Sequence, residues 1–90
     1  MTQDYATKIR ILRNTEGMTQ AEMAKACGLS LGDLKNIELG GNEVGIGTLE
    51  RIARTARFKK YTLWLMTDKT AEAAGQISPA LSHSGREKTE

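Results

Sequence analysis

Leu31, Gly32, Lys35 and Asn36 stand at i, i+1, i+4 and i+5, the spacing of one side of a helix. The Asn36 amide holds a donor and an acceptor side by side, and the Lys35 ammonium donates without accepting. Such groups recognise hydrogen-bonding partners; they break no bonds. Bond-making residues are scarce elsewhere. His83 is the only histidine, and no cysteine or carboxylate cluster beside it makes a metal or nucleophile site. The stretch GGNEVGIG falls between helices rather than after a strand and lacks the lysine of a nucleotide-binding loop. The expectation is a binding protein and not an enzyme, with no catalytic residue, metal, cofactor or small-molecule substrate.

A reading surface needs a helix held at a fixed angle, and Thr19 to Gly40 carries the punctuation for one. Thr19 and Glu22 stand in capping-box relation, with Met18 and Met23 spaced to close as a hydrophobic staple. This helix should end at Cys27, because Gly28 accepts the left-handed conformation that terminates helices. Ser30 then caps a second helix, Asp33 occupies its third position, and Leu29 and Leu34 repeat the staple. Ala24 is small where two helices joined by so tight a turn must approach. Leu34 and Ile37 face inward, which leaves Leu31, Gly32, Lys35 and Asn36 outside.

The remainder of the 90 residues suits one small helical domain. Asp4 can cap a first helix with Tyr5, Ile9 and Leu12 on its apolar side, Lys8 and Arg10 on the other, and Gly17 at its end. Ile46, Leu49, Ile52, Ala53 and Ala56 mark a fourth helix, whose entrance through Gly45 and Gly47 is weak. Tyr61, Leu63, Trp64, Leu65 and Met66 are too many apolar residues for one helix to turn toward one small core. We therefore expect Tyr61, Trp64 and Leu65 to form a twofold dimer contact. Residues 1–67 read as the binding domain and 68–90 as a polar tail, partly helical. The net charge of +2 is modest, but Arg51, Arg54, Arg57, Lys59 and Lys60 crowd together and are candidates for meeting phosphate. A lone Cys27 forms no internal disulfide, and no apolar run reaches membrane-spanning length. With no leader-like start, a bacterial or phage-encoded cytoplasmic protein is expected.

The run IRILRNTEGMTQAEMAKACGLSLGDLKNIELGGN, followed by TLERIA, resembles the helix-turn-helix family of lambda repressor and Cro. The likeness covers about Tyr5 to Leu65, with the TQ, A, G, S and IE-x-G elements at family spacing. It implies an all-α, compact five-helix DNA-binding domain with the helix-turn-helix at helices 2 and 3. It also implies that Arg13 pairs with Glu38 at the end of the recognition helix, and that Gln20 reaches the phosphate backbone. The amides near Thr19 and Gln20, and the loop of Gly41 and Asn42, are further places where phosphate can be met. In the major groove Asn36 can pair with adenine and Lys35 can donate to guanine or phosphate. Leu31 can touch only apolar features such as a thymine methyl, and Gly32 allows close approach.

The sequence departs from the family in three places. A Leu-Gly pair stands where polar base-reading residues are frequent, Val44 to Gly47 replaces a proline and hydroxyl cap, and Arg57 replaces a turn glycine. The implied function is a homodimeric transcriptional regulator, a repressor on an inverted repeat, with double-stranded DNA and itself as partners and RNA polymerase or a cognate toxin as further ones. The rival reading is a protein-interaction module, an antitoxin or adapter that binds DNA weakly.

Overall fold

The computed structural model describes residues 4–40 and 43–79. Five α-helices follow one another among them: α1 (Tyr5–Thr15), α2 (Gln20–Cys27), α3 (Leu31–Glu38), α4 (Ile46–Arg54) and α5 (Thr62–Thr67), with 3-10 turns at Lys59–Tyr61 and Glu72–Ala74. No strand forms among the described residues beyond an isolated antiparallel bridge between Ala71 and Gln76.

The boundaries follow local chemistry. Asp4 accepts the amide of Thr7 and opens α1, and Gly17 at φ +69° turns the chain out of it. Gly45 opens α4 without any side-chain cap. That entrance is secured instead by the helix's own inner face, Leu49 and Ile52, which lie in the core. Ile46 points the other way and is 68% exposed, and α4 stops at Arg54, so Ile46 and Ala56 do not belong to its buried stripe.

The core gathers Ile9 and Leu12 of α1, Met23, Ala24 and Cys27 of α2, and Leu34 and Ile37 of α3 around Leu49, Ile52, Phe58, Tyr61 and Leu65. Burying this much apolar surface is the main force holding such a small domain together. Burial pushes the Cys27 thiol up from its ordinary pKa, with a Thr55 hydrogen bond opposing, so it is a packing residue and not a ready nucleophile. Phe58 follows Arg57 through the turn where the family places glycine. Arg57 is fixed there by Glu16, whose carboxylate and backbone carbonyl accept from its guanidinium at 2.9 and 2.8 Å.

Three expectations from sequence are corrected. Lys8 does not project from α1: it is 2% exposed, and its ammonium donates to the carbonyls of Trp64 at 3.0 Å and Leu65 at 3.1 Å while pairing with Asp68. It also lies 5.0 Å from the centroid of the Trp64 ring. Tyr61 and Leu65 are fully enclosed by their own chain, so neither side chain can reach a partner. Trp64 is half-buried against the core and Met66 is exposed. Finally, residues 68–79 are not a free tail. Gln76 accepts the Leu63 amide at 3.0 Å and donates to the Lys59 carbonyl at 3.0 Å, the Ile77 amide donates to Lys60 at 2.8 Å, and Pro79 is buried. Composition hid this because Gln76 acts through its polar side chain and Ile77 is the one large apolar residue there.

Candidate nucleic-acid interface

The α2–turn–α3 unit is built from short-range contacts. Thr19 accepts the Glu22 amide at 3.1 Å while the Glu22 carboxylate accepts the Thr19 amide at 2.8 Å, a complete capping box. Gly28, at φ +72°, closes α2, and the Leu29 amide returns to the Ala24 carbonyl at 2.8 Å. Ser30 then accepts the Asp33 amide at 3.0 Å and starts α3. Arg51 adds a tie from α4, its guanidinium donating to the Gly28 carbonyl at 2.6 Å. Nothing in the sequence signals that last contact.

With Leu34 and Ile37 buried, α3 presents Leu31, Gly32, Lys35 and Asn36 to solvent. Leu31 is 39% exposed. Leu31 and Lys35 form one row along the helix and Gly32 and Asn36 the next. The structure thus brings the four residues together on one exposed face.

The far end of α3 is anchored by charge. Arg13 and Glu38 meet in a bidentate pair, Nε to Oε2 at 2.7 Å and Nη2 to Oε1 at 2.9 Å, with the Glu38 side chain 4% exposed. The hydrogen bonds that Arg13 donates to Glu38, opposed by burial and reinforced by the carboxylate charge, raise the Arg13 pKa further above its already high ordinary value. A second guanidinium nitrogen of Arg13 donates to the Met18 carbonyl at 3.1 Å, which ties α1 to the entry of α2. Gln20 joins the same carboxylate, its Nε2 donating to Glu38 Oε1 at 3.2 Å. One amide hydrogen of Gln20 is left for an outside acceptor. Thr19 is exposed, and its hydroxyl, though accepting from Glu22, still has its own hydrogen to donate. Gly41 and Asn42, expected to approach phosphate, lie outside the described residues.

The basic cluster is largely engaged by the protein itself. Arg57 and Lys60 both pair with Glu16, at 2.9 and 3.1 Å, Arg51 holds Gly28, and Arg54 lies 3.8 Å from Glu50. Lys59 is exposed on the 3-10 turn. Among the described residues, no group of three or more metal-ligating side chains comes together, and no helix is long and apolar enough to cross a membrane.

Five helices, a capped α2–glycine–α3 corner and an exposed α3 face anchored by a buried arginine–glutamate pair define a lambda repressor-like helix-turn-helix domain. Residues 9–57 match the helix-turn-helix family model, and over 89 residues the chain is 35% identical to Repressor protein C of Escherichia phage P2, spanning 99% of this chain and 90% of that protein. The chain belongs to the lambda repressor-like helix-turn-helix family, a family of DNA-binding regulators and not of enzymes.

Proposed function

We propose that this protein is a transcriptional repressor that binds an inverted-repeat operator as a homodimer, each α3 entering the major groove. The observation that carries the reading is the exposed face of Leu31, Gly32, Lys35 and Asn36 on a helix fixed at both ends, by Ser30 and by Arg13 with Gln20 on Glu38. Similarity to a phage protein named as a repressor supports the direction of regulation. Asn36 pairs with adenine, Lys35 donates to guanine or phosphate, and Thr19 and Gln20 meet phosphate at the start of α2. The dimer contact uses the exposed part of Trp64 together with Met66, on a helix whose inner residue is Leu65. Two α3 helices in successive major grooves require half-sites about 34 Å apart. The protein acts where the DNA is, in the cytoplasm of the bacterial host.

The test is selection of bound duplexes from a random library at moderate salt, followed by sequencing. An enriched inverted repeat with half-sites one helical turn apart is expected. Asn36→Ala should flatten preference among sites more than it weakens non-specific binding, and an equal loss on all DNA would remove Asn36 from base reading. Trp64→Glu should yield monomers that bind the selected duplex poorly, and an unchanged dimer by sedimentation would move the interface elsewhere.

A further inference from the structure

α1 carries three inward charges, and each fastens a different part of the domain. Arg13 holds the last residue of α3, Glu38, through the bidentate pair. Glu16, which caps the end of α1, accepts from Tyr61 at 2.7 Å and from Lys60 at 3.1 Å, the residues that lead into α5. Lys8 donates to the Trp64 and Leu65 carbonyls and pairs with Asp68, the residue that closes α5. α1 also packs against both α3 and α5, more than those two pack against each other. It is a bar between the reading helix and the proposed dimer helix, with Lys8 and Arg13 about 7.5 Å apart along its axis.

Asp68 is the distinctive member. Among the described residues it is the only non-glycine at positive φ, +64°, where Gly17, Gly28, Gly40 and Gly75 occupy the other such positions. Aspartate tolerates this conformation better than most side chains, but glycine takes it at less cost. Lys8 is 2% exposed, and an aliphatic residue of similar volume would fill its place without the desolvation of a charge. Neither substitute would fix direction. Apolar packing accepts small rotations that an ammonium held by two carbonyls and a carboxylate does not.

We propose that Lys8 and Asp68 are positioning residues that fix α5 relative to α3 through α1, and so set the separation of operator half-sites that the dimer accepts. The inference rests on the homodimer and inverted-repeat reading proposed above and names the residues that make its spacing strict. Each base pair inserted between the half-sites moves one of them by about 3.4 Å and turns it by about 35°. A dimer whose α5 is locked to α3 meets that change only by giving up contacts at one half-site. A loosened α5 lets the second α3 follow the DNA, at the cost of orientation that is no longer fixed in advance.

The test measures affinity for the selected duplex, for versions with one base pair added or removed between the half-sites, and for a single half-site. Lys8→Met combined with Asp68→Gly removes both charges together, fills the space of the buried stem and places glycine at positive φ, so this variant should fold. The parent should lose about thirtyfold on either altered spacing, and the double variant only about threefold. On the selected spacing the double variant should bind about tenfold more weakly than the parent. On the single half-site the two should bind equally, since the Arg13–Glu38 pair and the capped corner are untouched. Asp68→Asn keeps an acceptor oxygen for Lys8 and tolerates positive φ, and it should retain most of the parent's spacing preference. A spacing profile as steep in the double variant as in the parent would overturn the positioning role. So would equal losses on every duplex, the single half-site included, which mark general damage to the fold. A parent indifferent to spacing, or one that enriches no duplex, would overturn the homodimer reading itself, and this inference with it.

Discussion

The helix-turn-helix corner and the C-terminal quarter of the domain hold their helices by opposite means. In α2 and α3 the caps come from within three residues: Thr19 with Glu22, and Ser30 with Asp33. The six-residue α5 has no such cap. Its beginning is held by Gln76, which accepts the Leu63 amide, and its end by Lys8, which reaches the Trp64 and Leu65 carbonyls across 56 and 57 positions of sequence. A helix this short is unstable alone, so its position depends on side chains supplied from elsewhere. The difference suits the proposed division of labour, in which the corner must be rigid to read a groove while α5 presents a surface to a partner.

Breaking the remote anchorage should produce the largest effect. Lys8→Ala removes a buried cation from Asp68 and from two helix-end carbonyls, and should cost about 3 kcal/mol in denaturant unfolding. Trp64, the single tryptophan, lies against that ammonium, so its emission should shift in the folded variant. Amide exchange should rise in α5 well before it rises in α2 and α3; uniform loosening of all helices would mean that the two regions are not held separately.

Glu16 offers a smaller perturbation of the same region. Burial alone would push its carboxyl pKa up, but hydrogen bonds from Tyr61, Arg57 and Lys60, with the Lys60 charge, outweigh burial and hold it below the ordinary value of 4.5. A carboxyl depressed on folding contributes stability above its unfolded pKa, and that contribution is lost as pH falls through the folded value. The parent should therefore lose stability with acid below about pH 4.5, and Glu16→Ala should show a shallower loss. At neutral pH the variant should be about 2 kcal/mol less stable, since the buried Tyr61 hydroxyl loses the carboxylate 2.7 Å away. An unchanged acid limb would shift the effect to other carboxylates.

The local caps should give the smallest change. Thr19→Ala and Ser30→Ala each remove one cap and should cost about 1 kcal/mol. Amide exchange should rise in the first turn of the helix affected, with α5 unmoved. Equal disturbance of α5 would erase the contrast between the regions.

Much of the corner was legible because its determinants are close in sequence. Thr19, Glu22, Gly28 and Ser30 each specify a helix end through hydrogen bonds or backbone freedom a few residues away, and such patterns can be read in one dimension. The resemblance to lambda repressor and Cro extended this reading to the distant pair of Arg13 and Glu38, which no spacing rule alone would join. Lys8 shows where such reading stopped. Its place on the apparently polar side of α1 was correct for an isolated helix, but α5 packs there, and a long aliphatic stem let the ammonium be enclosed while its charge met Asp68. For Tyr61 and Leu65 the sequence showed an excess of apolar residues without saying which of them the chain would enclose.

By itself, the sequence determined the ends of α2 and α3, the inward and outward faces of α3 and membership of a helix-turn-helix family, since these follow from capping, periodicity and short motifs. Only the tertiary structure decided which charges are spent inside the protein and which apolar residues around α5 are enclosed. It also decided that residues 68–79 belong to the domain. Those outcomes depend on which elements come into contact, and contacts between residues fifty positions apart leave no periodic trace in the chain.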